Sequence, residues 1–166
     1  MRAVILFIIV AFYSVGYSQK LKITEVLNGA LYTENKMQRL NPTNNYKIGW
    51  HQGYKVNDSL LSIRLTKTDT LTKCSCTVYR TVNFNKIKAV AKDINVVFFT
   101  KPNAVKEILT YNKCAADTAT PRTETHYSDL FFTEIRTAKN NEDLAVRLQQ
   151  AFAESCLQIN IPYWYD

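Results

Sequence analysis

Four cysteines and two histidines are the residues of this 166-residue chain best suited to chemistry, and their spacing limits what they can do. Cys74 and Cys76 form a C-x-C pair, while Cys114 and Cys156 stand alone. On a strand that spacing turns both thiols to one face. A bond between them is geometrically poor, so each needs a distant partner or stays reduced. An even count permits two disulfides in an exported protein. The expected bridge joins Cys156 to Cys76 or Cys114. His51 and His126 have no partner ligand at metal-site spacing, so no metal is expected. A thioredoxin-type site is disfavoured because it needs C-x-x-C at a helix start.

Other catalytic patterns are weaker. His126, Ser128 and Asp129 form a local polar cluster best read as loop capping. The strained G-x-S-x-G turn that would expose a serine nucleophile does not occur. Glu134, with Glu124 or Asp129, has the residue types of a glycosidase pair, but nothing in the spacing fixes their separation. The glycines beyond residue 18, at 29, 49 and 53, cannot build a phosphate-cradling loop. No catalytic residue, cofactor or enzymatic activity is therefore expected.

The N-terminus has the chemistry of a secretory signal peptide over residues 1–18. Arg2 supplies the positive start, Ala3 to Tyr13 is an unbroken apolar run, and Gly16 and Ser18 are small residues before a cut at Gln19. The expected location is the periplasm, the cell surface or the exterior, with no transmembrane segment after cleavage. No cysteine precedes Cys74, so a lipoprotein signal is excluded. The net charge of +7 is spread evenly, without a run of four basic residues. Nucleic-acid partners are not expected, since they are met by clustered basic residues. Weak attraction to anionic surfaces remains.

These residues must be positioned by elements legible as hydrophobic periods. With 46% hydrophobic and 21% charged residues, the chain suits one folded domain rather than disorder. After the signal, residues 19–45 read as a short helix or strand and a connector, because Asn28-Gly29 interrupts the helical spacing of Ile23, Leu27 and Leu31. Tyr46 to Tyr54 and Leu61 to Thr66 alternate as strands. Leu71 to Phe84 places Cys74, Cys76, Val78, Val82 and Phe84 on one face, broken only by Arg80. Lys92 to Asn95 reads as a hairpin turn before a buried strand, Val96 to Phe99. Val105 to Tyr111 is a strand or helical turn. Cys114 to Thr125 reads as a polar loop, and Tyr127 to Arg136 as a strand carrying Leu130 and Phe132. A helix over 141–159 carries Leu144, Leu148, Ala151, Phe152, Cys156 and Ile159 as an apolar stripe. Trp50 and Tyr54, and the tail over 161–166 with Tyr163, Trp164 and Tyr165, are candidate partner contacts; the alternative is a tail folded over the core.

Antiparallel strands closed by one amphipathic helix resemble a pleckstrin-homology-like (PH-like) domain. Val82 to Val90 resembles that fold's middle strand pair, the KDINVVFF hairpin follows it, and Glu142 to Ile159 resembles its capping helix. The resemblance covers about residues 46–160 and extends to small exported proteins of Bacteroidetes-type bacteria. It implies a mainly β (α+β) sandwich or partly open barrel, and a groove for a protein or peptide partner. Its lipid-headgroup site does not carry over, because Ser62 stands where a second basic residue belongs beside Lys55 and Arg64. The alternative is a lipocalin-like carrier, with about eight strands and a cavity lined by Phe84, Phe98 and Phe132. Gly49-Trp50 departs from that family's Gly-x-Trp.

Overall fold

The computed structural model describes residues 2–40, 46–112, 122–136, 139 and 141–165; side chains are described in the first helix from Lys20 onward, those of Tyr46, Trp50 and His51 excepted. The interruption expected at Asn28-Gly29 is not there. A single helix, α1, runs Arg2–Leu40. A glycine inside a helix costs roughly 1 kcal/mol, but tertiary contacts outweigh it. Ile23, Leu27, Leu31, Glu34 and Gln38 recur every three or four residues and are buried. Asn28 also has a use that periodicity cannot show. Its side-chain oxygen accepts from the Tyr54 amide at 2.7 Å, and its amide donates to the Tyr54 carbonyl at 3.1 Å. It therefore stands in for a neighbouring strand residue.

β1 (Tyr46–Asn57), β2 (Leu60–Asp69) and β3 (Ser75–Asn83) form an antiparallel meander. A 3-10 turn at Phe84–Lys86 then carries the chain to a second layer, with β4 (Ile87–Lys92) and β5 (Val96–Thr100) as a hairpin. The chain returns as β6 (Val105–Tyr111) beside β3, pairs with β7 (Arg122–Ser128), and crosses again at Asp129 to place β8 (Leu130–Phe132) beside β5. The result is a five-stranded sheet, β1-β2-β3-β6-β7, facing a three-stranded sheet, β4-β5-β8, with no closed barrel. The fold is thus mainly β, a sandwich capped by the C-terminal helix α2 (Glu142–Glu154).

The core lies between the sheets and is plugged by both helices. Ile63, Leu65, Val78 and Val82 meet Val90, Val96, Phe98 and Phe131, while Leu144, Leu148 and Phe152 enter from α2. Each such side chain removed from water stabilises the fold by roughly 1.5–3 kcal/mol. Three expectations are corrected. Strand β3 begins at Ser75, not Leu71, because the Asp69 carboxylate accepts from the amides of Leu71 and Thr72 and holds a turn that leaves Leu71 exposed. Residues 122–125 are strand rather than loop. The parity expected around Phe132 is reversed: Ser128 forms a side-chain turn with Leu130 at the crossing, so Phe131 enters the core and Phe132 faces outward.

α2 is shorter than the expected span 141–159. Cys156 sits just past its end at φ 56°, with its amide on the Ala153 carbonyl at 3.0 Å and the Leu157 amide on the Phe152 carbonyl at 2.9 Å. That is a Schellman termination. Its left-handed residue rotates Cys156 out of the apolar stripe into solvent. Among the described residues no helix is long and apolar enough to cross a membrane.

Candidate functional site

The sheet edges show where this surface is finished and where it is open. The Asn28 side chain and α1 lie along β1. The aromatic tail lies along β4. Asn160 bridges Ala89 and Trp164 bridges Lys92 in parallel register, with the Val90 amide on the Asn160 carbonyl at 2.9 Å and the Tyr165 amide on the Lys92 carbonyl at 2.9 Å. The Trp164 indole donates to the Asn141 side chain at 3.0 Å, anchoring the tail to the start of α2. The tail thus folds back, and Trp164 is half-buried and structural.

Among the described residues, the outer face of the three-stranded sheet carries apolar side chains. Strand register sets Ala89, Phe99 and Leu130 in one cross-strand row and Ala91, Val97 and Phe132 in the next. Their neighbours Val90, Phe98 and Phe131 point into the core; of the rows on the other face, Ala91 is buried, Ala89, Val97, Phe99 and Leu130 are half-buried and Phe132 is exposed. Tyr163 packs edge-on to Phe99 at 6.4 Å and stacks on Tyr165 at 5.3 Å. Phe132 is 39% exposed and Tyr165 63% exposed. The continuous run Val96 to Phe99 was the sequence signal. It reads as a strand buried on both faces, yet only its even-numbered residues are core.

A second cluster lies at the seam between the sheets. Glu134, in the left-handed region at φ 63°, is buried and bound by three cations. Lys67 lies at 2.7 Å, Arg80 at 3.1 Å and Arg136 at 3.1 Å. Arg80 also donates to Glu107 at 2.6 Å and to the Phe132 carbonyl. Burial pushes the Glu134 carboxyl up, but Lys67, Arg80 and Arg136 outweigh it and hold it below the usual glutamate range. Arg80, which breaks the apolar face of β3, was the one sign of this cluster in the sequence. The arrangement joins β2 and β3 to the segment after β8. It holds Glu134 ionised inside a ring of cations, the opposite of the raised pKa a glycosidase acid needs.

The remaining sequence candidates separate. Tyr54 is not a contact residue: it is 3% exposed, its hydroxyl donates to the Thr133 carbonyl at 2.7 Å, and burial drives its pKa upward. The side chains of Trp50 and His51, and all of Cys114, lie outside the described residues. Cys76 is a half-buried free thiol and Cys156 an exposed one, so the expected bridge from Cys156 is overturned by the left-handed turn beneath it. Cys74 takes part in a disulfide. His126 is 55% exposed and lies 3.3 Å from Glu124 on the same face of β7. Ser128 is engaged with the backbone of Leu130. Among the described residues no group of His, Cys, Asp and Glu could hold a metal.

The fold and this surface define a class: a helix-capped antiparallel sandwich with one apolar, aromatic sheet face. Comparisons with family models, with curated proteins and with solved structures find no match to this chain.

Proposed function

We propose that this chain is an exported, non-enzymatic interaction module that holds a protein or peptide partner on the outer face of its three-stranded sheet. The observation that carries the reading is the pair of all-apolar cross-strand rows, Ala89–Phe99–Leu130 and Ala91–Val97–Phe132, with Phe132 and the Tyr163–Tyr165 stack exposed at the surface. Exposed aromatic side chains at the margin of a half-buried apolar sheet face suit a contact site, because aromatic residues dominate contact energetics. Export rests on the charge, apolar run and small residues of positions 1–18. The PH-like reading draws its support from two antiparallel sheets closed by one terminal helix. The carrier alternative draws none from the described residues. Phe84 and Phe98 pack on Phe152 at 6.0 and 5.7 Å, and Phe132 lies outside the core.

The test is site-specific photocrosslinking in the native envelope, with the crosslinker at Phe132, at Tyr165, or at Tyr79 on the far face of the five-stranded sheet. Adducts of defined mass at 132 and 165, and not at 79, are expected. With the crosslinker at 132, Tyr165→Ser abolishes the adduct, and with the crosslinker at 165, Phe132→Ser does so, each at unchanged melting temperature. Equal adducts at all three positions, or none at any, remove the proposal.

A further inference from the structure

We infer that β7 is a self-association edge, on which a second copy of this chain adds its own β7 antiparallel about a two-fold axis at Thr125. This lies on a different sheet from the partner face and does not depend on it.

The other edges carry the devices that stop strands from pairing with strangers. β1 has two register shifts and is flanked by α1. β4 is occupied by the tail. β8 spans three residues, and its Phe132 carbonyl accepts from Arg80. Among the described residues β7 has none of these. It runs seven residues, Arg122–Ser128, in unbroken register with β6, without proline or bulge. No described element pairs with its outer side.

The residues of β7 then select the occupant. A two-fold perpendicular to the sheet sets one residue opposite its own copy. Centring on Glu124 overlaps only residues 122–126 and sets like charges face to face. Centring on His126 overlaps only 124–128 and sets His126 against itself. Centring on Thr125 overlaps all seven residues. It sets Glu124 opposite His126 of the second copy, twice, on one face, and Thr123 opposite Tyr127 on the other. Within one copy Glu124 and His126 already lie 3.3 Å apart on one face of the strand, half-buried and exposed respectively, and Glu124 also meets Arg122 at 3.2 Å and the Tyr111 hydroxyl at 3.4 Å. In the dimer each carboxylate gains a second imidazole. Complementary pairs opposite one another stabilise a sheet and like charges oppose it. This register alone joins full overlap to a carboxylate set opposite an imidazole, a hydrogen-bonding pair, and it yields a continuous ten-stranded sheet.

The register is tested by cysteine crosslinking of the full chain in a Cys156→Ser background. Thr125→Cys is expected to form a covalent dimer on mild oxidation. Thr123→Cys alone does not, but crosslinks when mixed with Tyr127→Cys. By analytical ultracentrifugation, Glu124→Lys raises the dimer dissociation constant about tenfold, and Glu124→Lys/His126→Glu restores it to within about threefold. A chain monomeric at every accessible concentration, or Thr125→Cys crosslinking no faster than a control Lys106→Cys, overturns the inference. Either result leaves the crosslinking pattern at Phe132 and Tyr165 unaffected.

Discussion

Replacing Glu134 with glutamine keeps the shape of the buried cluster and removes its central charge, so the cost can be worked from the neighbours. Lys67 and Arg136 have side chains 24% and 36% exposed and can turn toward water when the carboxylate is gone. Arg80, at 4%, cannot, but it keeps Glu107. Removing one partner of a fully buried ion pair costs about 3–5 kcal/mol. The surviving Glu107 contact and the acceptor oxygen of glutamine reduce this to about 2–3 kcal/mol at neutral pH. The pH dependence follows from the direction of the shift. Burial pushes the carboxyl up, and the three cations bring its folded pKa below the ordinary value of 4.5. Its contribution is complete above that value and is lost as pH falls through the lower, folded pKa. Urea unfolding of both proteins, at neutral pH and well below pH 4.5, should show a gap that is widest at neutral pH and narrows in acid, with unchanged m-value. A neutral-pH gap under about 0.5 kcal/mol, the size of an ordinary surface substitution, would refute the reasoning, as would a gap that widens on acidification.

Two further predictions concern the chain's turns and edges. Cys156→Gly should raise thermal stability by about 0.5–1 kcal/mol, because glycine adopts the left-handed residue of the Schellman turn without strain; a destabilised variant would show that the thiol packs. Asn28→Ala removes both bonds to the Tyr54 backbone and should cost about 1–3 kcal/mol, with faster hydrogen exchange at the Tyr54 amide; unchanged exchange would show that α1 does not protect this edge.

The PH-like resemblance and the apolar stripe of α2 led to a sandwich with a helical cap, and the described elements have that form. Leu144, Leu148, Ala151 and Phe152 were legible because burial against a sheet imposes a helical period on their spacing. The first half of β7 was illegible for the converse reason: an edge strand wetted on both faces has no apolar alternation, so Arg122 to Thr125 reads as loop. Phe132 was misplaced because a side chain's face is inherited along a strand only until the backbone turns, and the crossing at Asp129 resets it. Glu134 was singled out by residue type but with the wrong partners, since Lys67 and Arg80, which hold it with the nearby Arg136, lie on β2 and β3, far away in sequence.

What the chain alone determined were its local properties: the two-residue and three-to-four-residue periods, the hairpin at Lys92 to Asn95, the signal-like start and the absence of clustered catalytic motifs. These depend on neighbours within a few residues, so composition and spacing record them. Only the tertiary structure decided that Asn28 completes β1, that the tail occupies β4, that Cys156 faces water and that, among the described residues, β7 has no strand on its outer side. Cys156 apart, whose exposure follows from the left-handed turn that ends α2, each of these depends on which distant segment occupies a backbone donor or an apolar surface, and that competition leaves no periodic trace.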